Sequence, residues 1–195
     1  LAAASAVLLA TGCYEEPVPA SKTVPAGARV YLQDKGLKDL AAHAAALKPG
    51  LVDYVNLDRN ALEAFPPELA KLTGLKWLRL NVNRLSALPD LKALVNLRRI
   101  YLKNNRFTSV PETLKDLPAL TDIDLSGNPL VGIPEWLPKK PGLKNLSFSR
   151  TGIKRLPEDV SAWKSLHSLQ LGDLALGAEE MKRTREALPD VAIVF

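Results

Sequence analysis

A leucine-dominated motif returns every 22 or 23 residues through most of the chain. Its order is L-x-x-L-x-L-x-x-N-x-L, followed by a proline four residues after the last apolar position. Val52, Val55, Leu57, Asn60, Leu62, Phe65 and Pro66 make the first copy. Leu75, Leu78, Leu80, Asn83, Leu85, Leu88 and Pro89 make the second. The third has Leu97, Ile100, Leu102, Asn105, Phe107, Val110 and Pro111, and the fourth Leu120, Ile123, Leu125, Asn128, Leu130, Ile133 and Pro134. A fifth keeps Leu143, Leu146, Phe148, Ile153, Leu156 and Pro157 but has Thr151 in place of Asn. A sixth keeps Leu166, Leu169, Leu171 and Leu176, with Leu174 at that position. A unit this short cannot bury its own apolar side, so successive units must stack and share one elongated core.

Within each unit the first, fourth and sixth positions lie at or in a short strand whose alternate side chains turn inward. Neighbouring strands then pair in parallel. The ninth-position asparagine takes the chain out of the strand. Its buried amide can satisfy backbone groups that would otherwise lack partners. Thr151 is expected to do part of that work through its hydroxyl. Leu174 cannot, so the ladder should end or bend there. The proline suits the first turn of a short outer helix or 3₁₀ segment, where its missing N–H costs nothing. Residues Pro67–Leu72 and Pro111–Leu117 are such segments.

The pattern resembles the leucine-rich-repeat superfamily, in its LxxLP (Shoc2-like, Ras-group) class, over residues 52–176 strictly and 28–195 with divergent ends. The resemblance implies an α/β solenoid. A curved parallel β-sheet would form the concave face and short helices or 3₁₀ segments the convex face, in about seven repeats including caps.

Residues 28–51 read as an N-terminal cap with Val30, Leu32, Leu37 and Leu40, and with Lys35 at the ninth position. An alanine-rich helix over Ala41–Leu47 is predicted, stopped by Pro49 and Gly50. Residues 177–195 read as a C-terminal cap: a charged helix over Ala178–Leu188 with Met181 and Leu188 on one face, then Val191, Ile193 and Phe195 alternating as a last strand. Two such caps predict a whole domain over 28–195.

Residues 1–13 are of another kind. Leu1 to Gly12 is an apolar run of small residues, too short to span a bilayer but of signal-peptide h-region length. Ala10-Thr11-Gly12-Cys13 resembles the lipobox of bacterial lipoproteins, with Ala10 where Leu is usual. That resemblance implies cleavage before Cys13 and its lipidation, hence a membrane anchor in the bacterial cell envelope. By resemblance to lipoprotein sorting, Tyr14 rather than Asp after the cysteine leans to the outer membrane. Cys13 is the only cysteine, which excludes an intramolecular disulfide and a cysteine metal site. Residues 14–27, with three prolines and no periodicity, read as a tether. Fully extended, it reaches on the order of 45 Å.

Nothing in the pattern reads as catalysis. His43 and His167, the only histidines, fall at opposite ends of the array. No nucleophile elbow, zincin helix or phosphate-binding glycine loop occurs. Carboxylates are scattered as ordinary surface charge. The stretch between Cys13 and the cap leaves no space for an attached catalytic domain. The net charge of +5 is a solvated-surface bias and does not point to nucleic acid. A non-enzyme without cofactor or metal is expected.

The strand positions that face outward line the concave side, about 4.8 Å apart from strand to strand. The third-position column reads Arg29, Tyr54, Trp77, Arg99, Asp122, Asn145, Ser168. The fifth reads Tyr31, Asn56, Arg79, Tyr101, Asp124, Ser147, Gln170. Tyr54, Trp77, Arg79, Arg98, Arg99, Tyr101 and Lys103 gather over the first three repeats, with Asp122 and Asp124 beside them. Exposed Trp, Tyr and Arg dominate binding hot spots, which makes these the candidate partner-binding residues. The alternative is a self-satisfied sheet surface, Trp77 packed on Tyr54 and Arg99 paired with Asp122. A protein or peptide partner is the first expectation, a glycan or cell-wall polysaccharide the second, and a structural envelope protein without a specific ligand the third.

Overall fold

The computed structural model describes residues 26–195 and the short strand Leu8–Ala10. Cys13 and tether residues 14–25 lie outside the described residues, as does the lipidation expected there.

One sheet runs through the whole molecule in chain order. Strand β1 (Leu8–Ala10) lies antiparallel to β2 (Ala28–Tyr31). Every later pairing is parallel: β3 (Val52–Asn56), β4 (Trp77–Arg79), β5 (Arg99–Tyr101), β6 (Asp122–Asp124), β7 (Asn145–Ser147), β8 (Ser168–Gln170) and β9 (Ala192–Val194). Arg29, Tyr54, Trp77, Arg99, Asp122, Asn145 and Ser168 are successive register partners. The column read from the repeat is therefore a physical row across the sheet. With the inward leucines behind it, this is the leucine-rich-repeat solenoid expected from the pattern.

The outer side is built mostly of 3₁₀ turns: Ala41–Ala46, Leu69–Lys71, Glu112–Asp116 and Ser161–Ser165. The alanine-rich segment expected as a helix over 41–47 is thus 3₁₀. A 3₁₀ turn advances about 2.0 Å per residue, so it crosses the back of a narrow coil in few residues. Among the described residues only α1 (Ala178–Ala187) is α-helical. Pro111 does not occupy the first turn either; it precedes Glu112 with extended backbone, φ −61° and ψ 122°. Behind the sheet the motif leucines are almost completely buried, and Trp163, 1% exposed, fills the place that Leu72 and Leu117 hold in other repeats.

The ninth-position amides bond alike. Asn105 Oδ1 accepts from the Leu85 N–H at 3.0 Å, and its Nδ2 donates to Leu80 O and Leu102 O at 2.9 Å. Asn60, Asn83 and Asn128 repeat these contacts one unit up or down. Each amide ties its own unit to the one before. Thr151 does not take over any of this. Its Oγ1 is buried without a hydrogen-bond partner, because a hydroxyl is too short to reach the neighbouring coil from that position.

The residue before the asparagine carries the turn itself. Asp34, Arg59, Val82, Asn104, Arg150 and Asp173 all have φ between 54° and 61°, and Gly127 occupies the same place with φ 67°. Left-handed backbone costs an L-residue about 1–2 kcal/mol, most for a β-branched one such as Val82.

At the far end, α1 docks through one carboxylate. Glu180 accepts from the Arg183 guanidinium and from the Leu156 N–H, each at 2.8 Å. Arg183 in turn donates to the carbonyls of Glu158 and Pro157. The Arg183 hydrogen bond, aided by the Leu156 N–H and opposed by burial, holds the Glu180 carboxyl below its ordinary 4.5.

Two outcomes follow from these bonds. Asn105→Leu should lower stability by about 1–3 kcal/mol in urea unfolding, since it leaves buried backbone groups unpaired; an unchanged midpoint would remove the ladder from the account. Because the folded-state pKa of Glu180 lies below its unfolded value, its contribution is full above pH 4.5 and is lost as pH falls through the folded value. Glu180→Gln should therefore show a shallower loss of stability in that acid range than the wild type.

Candidate partner-binding face

The third and fifth positions of β2 to β5 place four aromatic rings within reach of one another. Tyr31 and Tyr54 have ring centroids 5.3 Å apart. Tyr54 meets Trp77 at 5.0 Å and 83°, and Trp77 meets Tyr101 at 5.8 Å and 82°. These edge-to-face contacts match the quadrupoles of the rings. Guanidinium groups lie over the rings: Arg29 over Tyr54 at 5.7 Å, Arg99 over Trp77 at 5.1 Å, and Arg79 over Tyr101 at 5.8 Å. Tyr54 is left only 8% exposed, and the buried Trp77 Nε1–H has no acceptor. Burial raises the pKa of both Tyr54 and Tyr101, and Asp122 adds to the rise at Tyr101.

Two arginines that look alike in sequence behave differently. Arg79 donates through Nε to Asp58 Oδ2 at 2.7 Å, with its NH2 at 2.5 Å from the same oxygen. Asp58 is 3% exposed, and its Oδ1 accepts the Asn81 N–H at 2.8 Å. Burial works against the Arg79 charge, yet the Asp58 contact outweighs it and holds the guanidinium pKa above its ordinary value. Asp58 was not among the candidates. Its signal was an acid at the seventh position, diagonal to a fifth-position arginine one unit on.

Arg99, by contrast, stands 3.9 Å from Asp122, too far for a hydrogen bond. Asp122 instead accepts from the Asn145 amide at 2.7 Å and from the Thr121 hydroxyl. Asp124 accepts the Ser126 N–H at 2.9 Å. Lys103 is half-buried on the opposite margin of the sheet.

The candidates therefore divide. Tyr54, Trp77, Arg79 and Tyr101 form a packed ladder, and Asp122 and Asp124 belong to a hydrogen-bonded polar sector. Arg98 and Arg99 are exposed beside the ladder, together with Arg29. A shallow hollow lies there, lined by Arg29, Asp53, Lys76, Trp77, Arg98 and Arg99. A second hollow, lined among others by Asp122, Asp124, Ser147 and Gln170, has no cationic side chain. Lys76 lies 3.5 Å from Asp53. Arg29 and Arg98 make no ion pair among the described residues. His43, buried in the N-terminal cap, and His167, exposed beside β8, are not brought together. No group of three or more His, Cys, Asp or Glu able to hold a metal ion occurs among the described residues.

The comparisons agree with this architecture. The family model described as "Leucine rich repeat" matches residues 91–130. Keratocan of Danio rerio is 30% identical over 90 residues, which is 44% of this chain and 24% of keratocan. The structure of a leucine-rich-repeat protein of Leptospira interrogans superposes with a TM-score of 0.65 and 25% identity, over 79% of this chain and 45% of that one. The chain thus spans less than half the length of either relative. Together with the register, these similarities support the leucine-rich-repeat superfamily.

Breaking the inner ion pair should be felt in stability. Arg79→Met should cost about 1–3 kcal/mol by leaving the Asp58 carboxylate short of a charged donor. Adding Asp58→Asn should recover part of that loss in the same denaturation experiment. Equal stability of wild type and Arg79→Met would mean that the pair carries nothing.

Proposed function

We propose that this leucine-rich-repeat solenoid is a non-catalytic scaffold that binds a protein or peptide partner on its concave face. The observation that carries the reading is the contrast across one rigid sheet. A basic and aromatic sector on β2 to β5 adjoins an acidic and hydroxyl-rich sector on β6 to β8, with uncompensated arginines at the margin of the first. Such a surface offers pre-arranged hot-spot residue types with little ordering left to do on binding.

A protein is favoured over a glycan by the state of the rings. Stacking on sugar needs an open aromatic face, and here guanidinium groups lie over Tyr54, Trp77 and Tyr101. The envelope location is part of the same proposal. It is supported by the Ala10-Thr11-Gly12-Cys13 junction and the proline-bearing tether, which would hold the domain off an outer-membrane surface by lipid on Cys13. None of the described helices is long and apolar enough to cross a membrane.

Photo-cross-linkers placed at Arg98 and Ser147 on the concave side, and at Lys115 on the convex side, test the reading in intact cells. Protein adducts should form from the concave positions and not from Lys115. Adducts from Lys115 alone, or none at all, would overturn it. Cys13→Ser should move the protein out of the membrane fraction, and unchanged fractionation would sink the anchor.

A further inference from the structure

We propose that the partner of this face presents an extended acidic segment, with two carboxylates four residues apart and an apolar side chain midway between them. The proposal rests on the concave-face reading above and assigns its chemistry.

Charge sets the sign. Arg29, Lys76, Arg98 and Arg99 line the hollow against a single carboxylate, Asp53. Asp53 is engaged by Lys76, and Arg99 has only a loose approach to Asp122. Arg29 and Arg98 have no counter-charge among the described residues. Guanidinium groups bind carboxylates through two parallel N–H bonds, so uncompensated arginines select for them.

Spacing sets the pattern. Arg29 stands in β2 and Arg99 in β5, with Tyr54 in β3 and Trp77 in β4 between them. Three strand intervals amount to about 14 Å. An extended chain laid across the strands advances about 3.3 Å per residue and turns alternate side chains to one side. Residues i, i+2 and i+4 then span about 13 Å on that side. The outer two reach Arg29 and the Arg98–Arg99 pair, and the middle one meets the part of Trp77 that lines the hollow between them.

The boundary at β6 sets the extent. Beyond Arg99 the row continues into Asp122, and Tyr101 into Asp124. A uniform polyanion running further along the sheet would meet these carboxylates. A short acidic stretch followed by neutral or basic residues would not. That favours a peptide over an acidic polysaccharide.

The test uses the full chain and a fluorescein-labelled peptide Gly-Ser-Glu-Gly-Phe-Gly-Glu-Gly-Ser, read by anisotropy. Binding is expected, with Kd at least tenfold weaker for the peptide whose two Glu are Gln, and for the Arg29→Glu and Arg98→Glu proteins. Lys115→Glu on the convex side should change Kd less than twofold. Matching circular dichroism spectra show that the variants are folded. Equal binding of the Gln peptide, indifference to both arginine reversals, or binding of polyglucuronate without binding of the peptide would each overturn the proposal. Concave cross-links to a protein without peptide binding would remove this inference and leave the scaffold reading standing. Absence of concave cross-links would remove both.

Discussion

A carboxamide holds two donors and a double acceptor on one planar group. At Asn60, Asn83, Asn105 and Asn128 the oxygen accepts from the coil before, and the nitrogen donates to one carbonyl of that coil and one of its own. The need arises because β4 to β9 are only three residues long. A strand so short hands its chain back into the interior almost at once, with carbonyls and N–H groups still facing inward. Left unpaired, each such group costs about 1–3 kcal/mol. The amides meet them, and most of the remaining interior is leucine, isoleucine, valine and phenylalanine. Along the first coils these amides reinforce the parallel register that strand pairing carries through the whole sheet.

A surface mounted on such a frame is stiff, and the concave face adds stiffness of its own. Tyr31, Tyr54, Trp77 and Tyr101 brace one another, while Asp58 pins Arg79 from below. Of the two alternatives weighed from sequence, the self-satisfied surface describes the rings and Arg79, and it leaves Arg29 and Arg98 outside it. The rings pack on one another and Arg79 is paired with Asp58, though the Trp77 Nε1–H has no acceptor. Arg29 and Arg98 make no ion pair among the described residues and stand exposed at the margin of the ladder.

The columns of residues across the sheet were legible before any coordinates, because a fixed period forces equivalent residues into register. The breaks in that period fall where the structure has the 3₁₀ turn Ala41–Ala46 at one end and α1 at the other. Backbone detail was not legible. The left-handed residue at the eighth position is Asp, Arg, Val, Asn or Gly in turn, so no residue type marks it. The choice of 3₁₀ over α at Ala41–Ala46 depends on how wide the coil is, which alanine does not report. Which acid meets which arginine depends on rotamers. Arg99 lies over Trp77 instead of closing on Asp122, and the buried partner of Arg79 was Asp58, a residue with no motif to flag it. Thr151 was read as a partial substitute for asparagine, and reach defeated it.

Because each amide grips the unit before it, the ladder has a direction and an end. It runs from the first cap to the coil of Asn128, and the seams after that are held by strand pairing, by side-chain bonds such as those of Asn145 to Asp122 and Ser168, and by α1, with no ninth-position amide. The coils after Asn128 lack the inward amide that doubles each earlier seam. The sector bearing Tyr54, Trp77 and Arg98 lies wholly within the gripped part. The array is therefore a seam sewn twice over its first coils and once over its last, and its aromatic ladder lies on the doubly sewn length.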